Sequence, residues 1–454
     1  MDSKIIVIDD DPTGSQTVHG CLLLTRWDVD TLLEGLRDAS PLFFVLSNTR
    51  GMSAGDAARL TREICDNLCV ALDRVDGLGE KVQPLLVSRS DSTLRGHYPV
   101  ETDVMAETLG PFDAHFLVPA FFEGGRITRD STHFLLIDGQ AVPVHETEFA
   151  RDSVFGYRHS YLPDYVEEKT GGRIPARAVE RFTLADVRGD SLGRLLSLHD
   201  NACCVVDAET PADLDHFAGQ LKAAAAQGKR FLFRSAASLL TALASLPPQP
   251  VAAEGMARFV RDGRPGAVVV GSHVSKTTRQ LEALLRQPRV AAVEIDVGRL
   301  PGERETLVAE AVQSATRWHD AGVTPVIFTS RAERQFATQQ ARLEFGQTVS
   351  ATLMDIVRRL PDSLGFLISK GGITSNDVLA NGLELRASRV LGQIAPGCSV
   401  VKCPAEHPRF ADLPVVIFPG NVGDEHTLAT VYGRLTAGVD RDAVRSRPSL
   451  TARA

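Results

Sequence analysis

Short runs of uninterrupted apolar residues alternate along this chain with longer Ala/Leu/Arg-rich stretches whose apolar positions recur at helical spacing. The apolar runs predict strands at 4–9, 42–47, 83–88, 115–119, 202–207 and 230–234. A second series follows at 267–271, 291–297, 325–329, 365–369, 399–402 and 414–418. Segments 53–73, 211–227, 303–320 and 332–358 predict helices between them. Such alternation means βαβ units and mostly parallel sheets. The stretch Leu246-Pro247-Pro248-Gln249-Pro250, followed by Gly263-Arg264-Pro265-Gly266, separates the two series. The expected architecture is therefore α/β with two domains, 1–245 and 267–440, each a mostly parallel sheet flanked by helices. A linker spans 246–266, a flexible tail spans 441–454, and the active site is expected in the interdomain cleft. Residues 121–200, rich in Arg, His, Gly and Tyr, break the alternation and read as an irregular insert on the substrate side.

Composition narrows the class. At 454 residues the chain can build two cores, and 43% hydrophobic with 23% charged residues is ordinary for a globular enzyme. A net charge of −8 without a basic arm argues against a general nucleic-acid partner. No apolar run approaches the roughly 18 residues of a membrane span, and Met1-Asp2-Ser3-Lys4 leads directly into a strand. Seven cysteines, an odd number without metal-type spacing, suggest a reducing cytoplasm. These features leave small molecules as the partners, and a homodimer is compatible with them.

The chemistry stands at the strand ends. Ile5-Ile6-Val7-Ile8 stops in Asp9-Asp10-Asp11-Pro12-Thr13-Gly14, placing three carboxylates where α/β sheets bind ligands. Crowded negative charge is costly unless a cation, an arginine or a shared proton relieves it. Leu42–Leu46 runs into Ser47-Asn48-Thr49-Arg50-Gly51, and Pro84–Val87 runs into Ser88-Arg89-Ser90-Asp91-Ser92-Thr93-Leu94-Arg95-Gly96-His97. Arginine forks suit a carboxylate, while Ser, Asn and Asp suit sugar hydroxyls. Glu123-Gly124-Gly125-Arg126-Ile127-Thr128 adds a fourth polar strand end, whose glycines allow close backbone approach. Helix capping is the plainer explanation for any one of these loops.

Glycines and hydroxyls dominate the second half. Val268–Val270 leads into Gly271-Ser272-His273-Val274-Ser275-Lys276-Thr277-Thr278, which lacks the glycine that a P-loop carries before its Lys. Phe366–Ser369 leads through Lys370 into Gly371-Gly372-Ile373-Thr374-Ser375, and Val415–Phe418 into Pro419-Gly420-Asn421-Val422-Gly423. Strand, glycine turn, then helix start lets phosphates reach backbone N–H groups, so two such turns point to a nucleotide. Lys370 offers a point charge there, unless it faces solvent.

Together these motifs resemble the four-carbon acid sugar kinases over roughly residues 3–440. The resemblance rests on Asp9 to Gly14, Asp91 to Gly96, Gly271-Ser272 with Ser275 and Thr278, Gly371-Gly372-x-Thr374, and Gly420-Asn421-x-Gly423. Departures are the third Asp before Pro12, Ile373 where an acidic residue is usual, and a longer segment at 149–157. The resemblance implies a sugar-acid-binding N-terminal domain and an ATP-binding C-terminal domain. It implies ATP-dependent phosphorylation of threonate, erythronate or an oxo-tetronate at the terminal hydroxyl. Ser272, Ser275, Gly371, Gly372, Thr374, Gly420 and Gly423 would then hold ATP, with Mg2+ bridging its phosphates. Asp9, Asn48, Arg50, Arg89, Ser92 and Arg95 would bind the sugar acid, with Arg89 and Arg95 on its carboxylate. Asp10 or Asp91 would orient the acceptor hydroxyl and take its proton. No metal ligand is assigned. Two alternatives stand beside this reading. Asp9-Asp10-Asp11-Pro12-Thr13 also fits the Asp-x-Asp-x-Thr signature of haloacid-dehalogenase-like phosphatases, with Asp9 as nucleophile and Asp11 as acid/base. A binding module without turnover is the other.

Overall fold

The computed structural model describes residues 2–80, 82–331, 336, 338–420 and 422–437. The expected tail 441–454, the start of the expected helix 332–358 and Asn421 lie outside the described residues. All twelve expected strands are present within a residue or two at their ends.

The N-terminal half is a parallel block ordered Leu22–Leu24, Leu42–Leu46, Asp2–Asp9, Val82–Arg89, Phe231–Ser235, Ala114–Val118, Ala202–Val206, Glu180–Phe182. Its register sets the site. Asp9 pairs with Leu46 and Arg89, Arg89 with Ser235, and Ser235 with Val118, so adjacent carboxyl ends finish at one level. The second parallel block runs Val290–Ile295, Thr324–Thr329, Ala267–Val270, Leu367–Lys370, Pro414–Phe418. There Val270 pairs with Lys370 and Lys370 with Phe418, which aligns the three glycine turns that follow.

The two blocks belong to one 15-stranded sheet. Cys398–Lys402 and Ala387–Ala395 pair antiparallel to each other, and Ala387–Arg389 pairs antiparallel with Leu22–Leu24. Three reversals leave the second block running opposite to the first. Six strand steps separate Asp2–Asp9 from Leu367–Lys370. At roughly 20–25° of twist per step the rotation accumulates to about 120–150°, which turns the second block's carboxyl ends back toward the first. Asp38 accepts both Arg389 Nη1 and Nη2, at 2.8 and 2.6 Å, which braces the joint.

The 121–200 segment is more regular than its composition suggests. Arg126–Arg129, Thr132–Ile137 and Gln140–Pro143 form a separate antiparallel sheet, and Leu162–Lys169 is a helix. Their side chains prop the Asp91–Gly96 loop. His133 Nε2 bonds Ser92 O at 2.8 Å, Tyr157 Oη donates to Thr93 O at 2.7 Å, and Tyr165 Oη donates to Leu94 O at 2.8 Å. The sheet core beneath is aromatic: Phe116 is fully buried against Phe182, Phe217, Phe231 and Phe233, with centroids 5.2–6.2 Å away. All seven cysteines are unpaired thiols.

Removing the Phe116 ring leaves a cavity that four neighbouring rings cannot close. Phe116→Ala is expected to cost about 3–5 kcal/mol, read as a lower urea midpoint with unchanged slope. A loss under about 1 kcal/mol would mean that the cluster collapses into the space.

Candidate active site

Asp9, Asp10 and Asp11 leave the first strand in three different electrostatic situations. Asp9 is fully buried, its Oδ1 lies 4.0 Å from Arg89 Nε, and its Oδ2 has no hydrogen-bond partner. Burial pushes its carboxyl up to about 8, against the pull of Arg89. A Cβ on Gly14 would overlap this carboxylate, so the turn closes only with glycine there. Asp10 is held in a fork by Arg50, with Nη2 to Oδ1 at 2.5 Å and Nε to Oδ2 at 3.2 Å. Burial still raises its carboxyl, with Glu101 adding to the rise and Arg50 and Arg234 opposing it. Asp11 accepts Arg50 Nη1 at 3.3 Å and the Thr13 backbone N–H at 2.8 Å. Burial works against ionisation, but Arg50 and Thr13 hold Asp11 below the usual carboxylate range.

The neighbouring strand ends complete the wall. Asn48 takes the left-handed conformation at φ 53° and donates its N–H to Asp9 O at 3.3 Å, which aims the following Arg50 at the aspartates. Asp91 accepts Arg95 Nε at 2.8 Å and the Thr93 hydroxyl. Burial opposes its charge, yet Arg50 and Arg95 hold Asp91 well below the usual range. Arg95 also lies 3.6 Å from Asp152 and stacks 5.0 Å over Phe149. Ser92 is buried in the same loop. Arg89 is 3% exposed and its Nε is unpartnered. Beneath lies a network that the sequence did not announce: Arg234 donates to Glu101 and to Ser88 Oγ (2.6 Å), and Thr49 donates to Glu101 at 2.5 Å. The only sequence signal for it was a lone arginine inside an apolar strand.

On the opposite wall, Ser272 is the centre. Thr277 Oγ1 donates to Ser272 Oγ at 3.1 Å and to Gly420 O at 3.0 Å. A Cβ at Gly371 would meet Ser272 Cβ at 3.2 Å and Thr374 Oγ1 at 3.0 Å; one at Gly420 would meet Ser272 Oγ at 3.3 Å. Gly371 has φ 123°, a backbone region that side chains avoid. Ser272, Gly371, Thr374 and Gly420 thus pack closely together, with no room for a further side chain between them. Ser275 is exposed at the start of its helix, and Gly423 packs against Thr427, so both stand further along the wall. Arg331, absent from the expected set, donates to Ser272 O at 2.8 Å and Thr278 Oγ1 at 2.7 Å. Lys370 does not face solvent. It is fully buried, donates to Pro419 O at 2.5 Å and Gly420 O at 3.1 Å, and burial lowers its ammonium to about 7.

The walls meet at Gly372, where a Cβ would lie 3.5 Å from Asp11 Oδ2. Residues 5–243 match the family described as a sugar-binding N-terminal domain, and residues 267–428 match a nucleotide-binding C-terminal domain. The chain belongs to the four-carbon acid sugar kinase family. By that membership it is a carbohydrate kinase. A D-threonate kinase of Salmonella typhimurium is 27% identical over 445 residues, 94% of this chain and 96% of that protein. A D-erythronate kinase of Heliobacterium modesticaldum is 26% identical over 456 residues, 96% and 91% of the two chains. The fold matches a crystal structure from Salmonella typhimurium LT2 (TM-score 0.67, 20% identity, 96% of this chain and 98% of that one). It also matches Haemophilus influenzae protein HI1011 (TM-score 0.62, 18% identity, 95% and 100%). Among the described residues of this kinase no helix is long and apolar enough to cross a membrane.

The buried Asp9 makes stability pH-dependent. Its native carboxyl holds a proton up to about 8, against 3.8 for the free side chain. Stability therefore falls as pH rises through that window and levels off above it. Asp9→Asn removes this proton, so its thermal midpoint should decline less than the wild type's between about pH 5 and about pH 9. Parallel curves for the two proteins would contradict the assignment.

Proposed function

We propose that this protein transfers the γ-phosphoryl group of ATP to the terminal hydroxyl of a four-carbon sugar acid such as threonate, erythronate or an oxo-tetronate. The observation that carries this reading is the approach of Asp11 to Gly372, which puts the carboxylate-and-arginine wall against the glycine-turn wall. The names of the two kinase relatives support the substrate class.

Phosphoryl transfer asks a protein for positioning and charge neutralisation. Gly372 opens a short helix, and the one atom near its would-be Cβ is Asp11 Oδ2 at 3.5 Å, so a phosphate could come close to the backbone there. Among the described residues no group of three His, Cys, Asp or Glu is arranged to hold a metal. Mg2+ needs only one or two carboxylates besides phosphate and water, and Asp11, which faces Gly372, is the candidate. When bound, the ion would neutralise charge on the phosphates.

Of the two proposed bases, Asp10 is the better. Asp91 is held ionised by Arg95 and Thr93 and has little proton affinity, whereas burial raises that of Asp10. The acceptor oxygen bonds to the γ-phosphorus, the bond to the departing ADP oxygen breaks, and the hydroxyl proton passes to Asp10. The phosphatase alternative needs an ionised Asp9 as nucleophile, and burial pushes the Asp9 carboxyl up to about 8.

A coupled ADP-release assay with Mg-ATP over four-carbon sugar acids tests the proposal. ADP formation is expected with at least one acid. No ADP with any of them, despite thermal stabilisation by ATP, would sink it and favour a binding module. Gly371→Ala, forced into a φ of 123°, should raise KM for ATP by at least about tenfold and change KM for the sugar acid by under about threefold.

A further inference from the structure

A monocarboxylate substrate brings a negative charge into a cluster where most guanidinium groups are already committed. Arg50 is shared by Asp10 and Asp11, and Arg95 by Asp91 and Asp152. Arg234 is bound to Glu101. Arg89 faces Asp9 and is closed off, with 3% exposure. Arg126 differs. Among the described residues it forms no ion pair, its Nε is buried without a hydrogen-bond partner, and the one hydrogen bond of its guanidinium goes from Nη1 to Gly124 O.

Arg126 also belongs to the cluster. Its guanidinium lies 6.0 Å over the Phe149 ring, which Arg95 shares at 5.0 Å. The charges of Asp91 and Arg95 both act on it. A Cβ on Gly124 would overlap Arg126 Nη1, so the glycine makes room for the side chain to fold back. Two guanidinium groups flank one ring, one balanced by two carboxylates and the other by none. Holding an uncompensated charge in a half-buried position is unfavourable unless an anion arrives.

We infer that Arg126 is the specificity-determining residue that receives the substrate carboxylate and selects sugar acids over neutral polyols of the same length. The inference rests on the sugar-acid kinase reading and reassigns the carboxylate contact from Arg89 and Arg95. Ser92 and Asp91, in the adjoining loop, remain for the hydroxyls.

The test compares kcat/KM for D-threonate and D-erythronate with that for their neutral amides, in the wild type, Arg126→Met and Arg126→Lys. The wild type should prefer the acid by roughly 100-fold. In Arg126→Met the acid should lose about that factor, mainly through KM, while the amide changes by under about threefold. Arg126→Lys should recover part of the preference, since it restores charge without the fork. ATP-induced thermal stabilisation equal to the wild type's certifies the fold, and Arg126→Gln replaces Met if it does not. An active wild type with an unchanged acid-to-amide ratio in Arg126→Met overturns the role of Arg126 alone. So does loss of the ratio in Arg89→Met but not in Arg126→Met. A wild type that forms no ADP with either acid overturns the kinase reading for these substrates and the carboxylate contact together.

Discussion

Arg50 makes the end of the first strand possible. Three consecutive carboxylates could not all ionise in a buried turn, and one guanidinium group reaches two of them while the third stays protonated. The division follows from backbone register. Asp9 is still in the strand and points into the sheet layers, whereas Asp10 and Asp11 have left it for the loop facing Arg50. Replacing any member shifts the protonation of the others, so the cluster titrates as a unit.

The second dependency is topological. Ligand sites in open α/β sheets form at the carboxyl ends of strands, and here two such edges must face each other although their strands run in opposite senses. The antiparallel segment from Leu22–Leu24 to Pro414–Phe418 supplies both the reversal and the strand steps over which twist accumulates. Contacts across the cleft are consistent with that turn: Gly372 approaches Asp11, and Gly397 approaches both Gln16 and Val422.

Much of this was legible in the sequence because buried parallel strands are uninterrupted apolar runs, and the first polar residue after each marks its carboxyl end. Asp9, Ser88, Gly271 and Gly371 were all visible in that way. The joint was not. Leu22–Leu24 is only three residues long, and Ala387–Ala395 alternates buried and half-buried positions around an internal Gly392. Nor could periodicity show Glu101 and Arg234, since each sits within an element whose pattern is otherwise ordinary and their pairing depends on residues 133 positions apart. The placement of Lys370 was open for a related reason: a lysine ending an apolar strand can turn outward or inward, and the carbonyls of Pro419 and Gly420 decide it.

His133, Tyr157 and Tyr165 take the carbonyl oxygens of three successive residues, Ser92, Thr93 and Leu94. Peptide planes held in this way cannot flip, even with Leu94 at φ 66°. The loop is preorganised before any ligand arrives. Fixing three residues of free chain would cost roughly 3–6 kcal/mol at each binding event, and here that ordering is completed once, during folding. A small ligand offers few contacts over which to recover such a cost. A long aromatic-bearing insert around a short loop is thus a means of binding something very small.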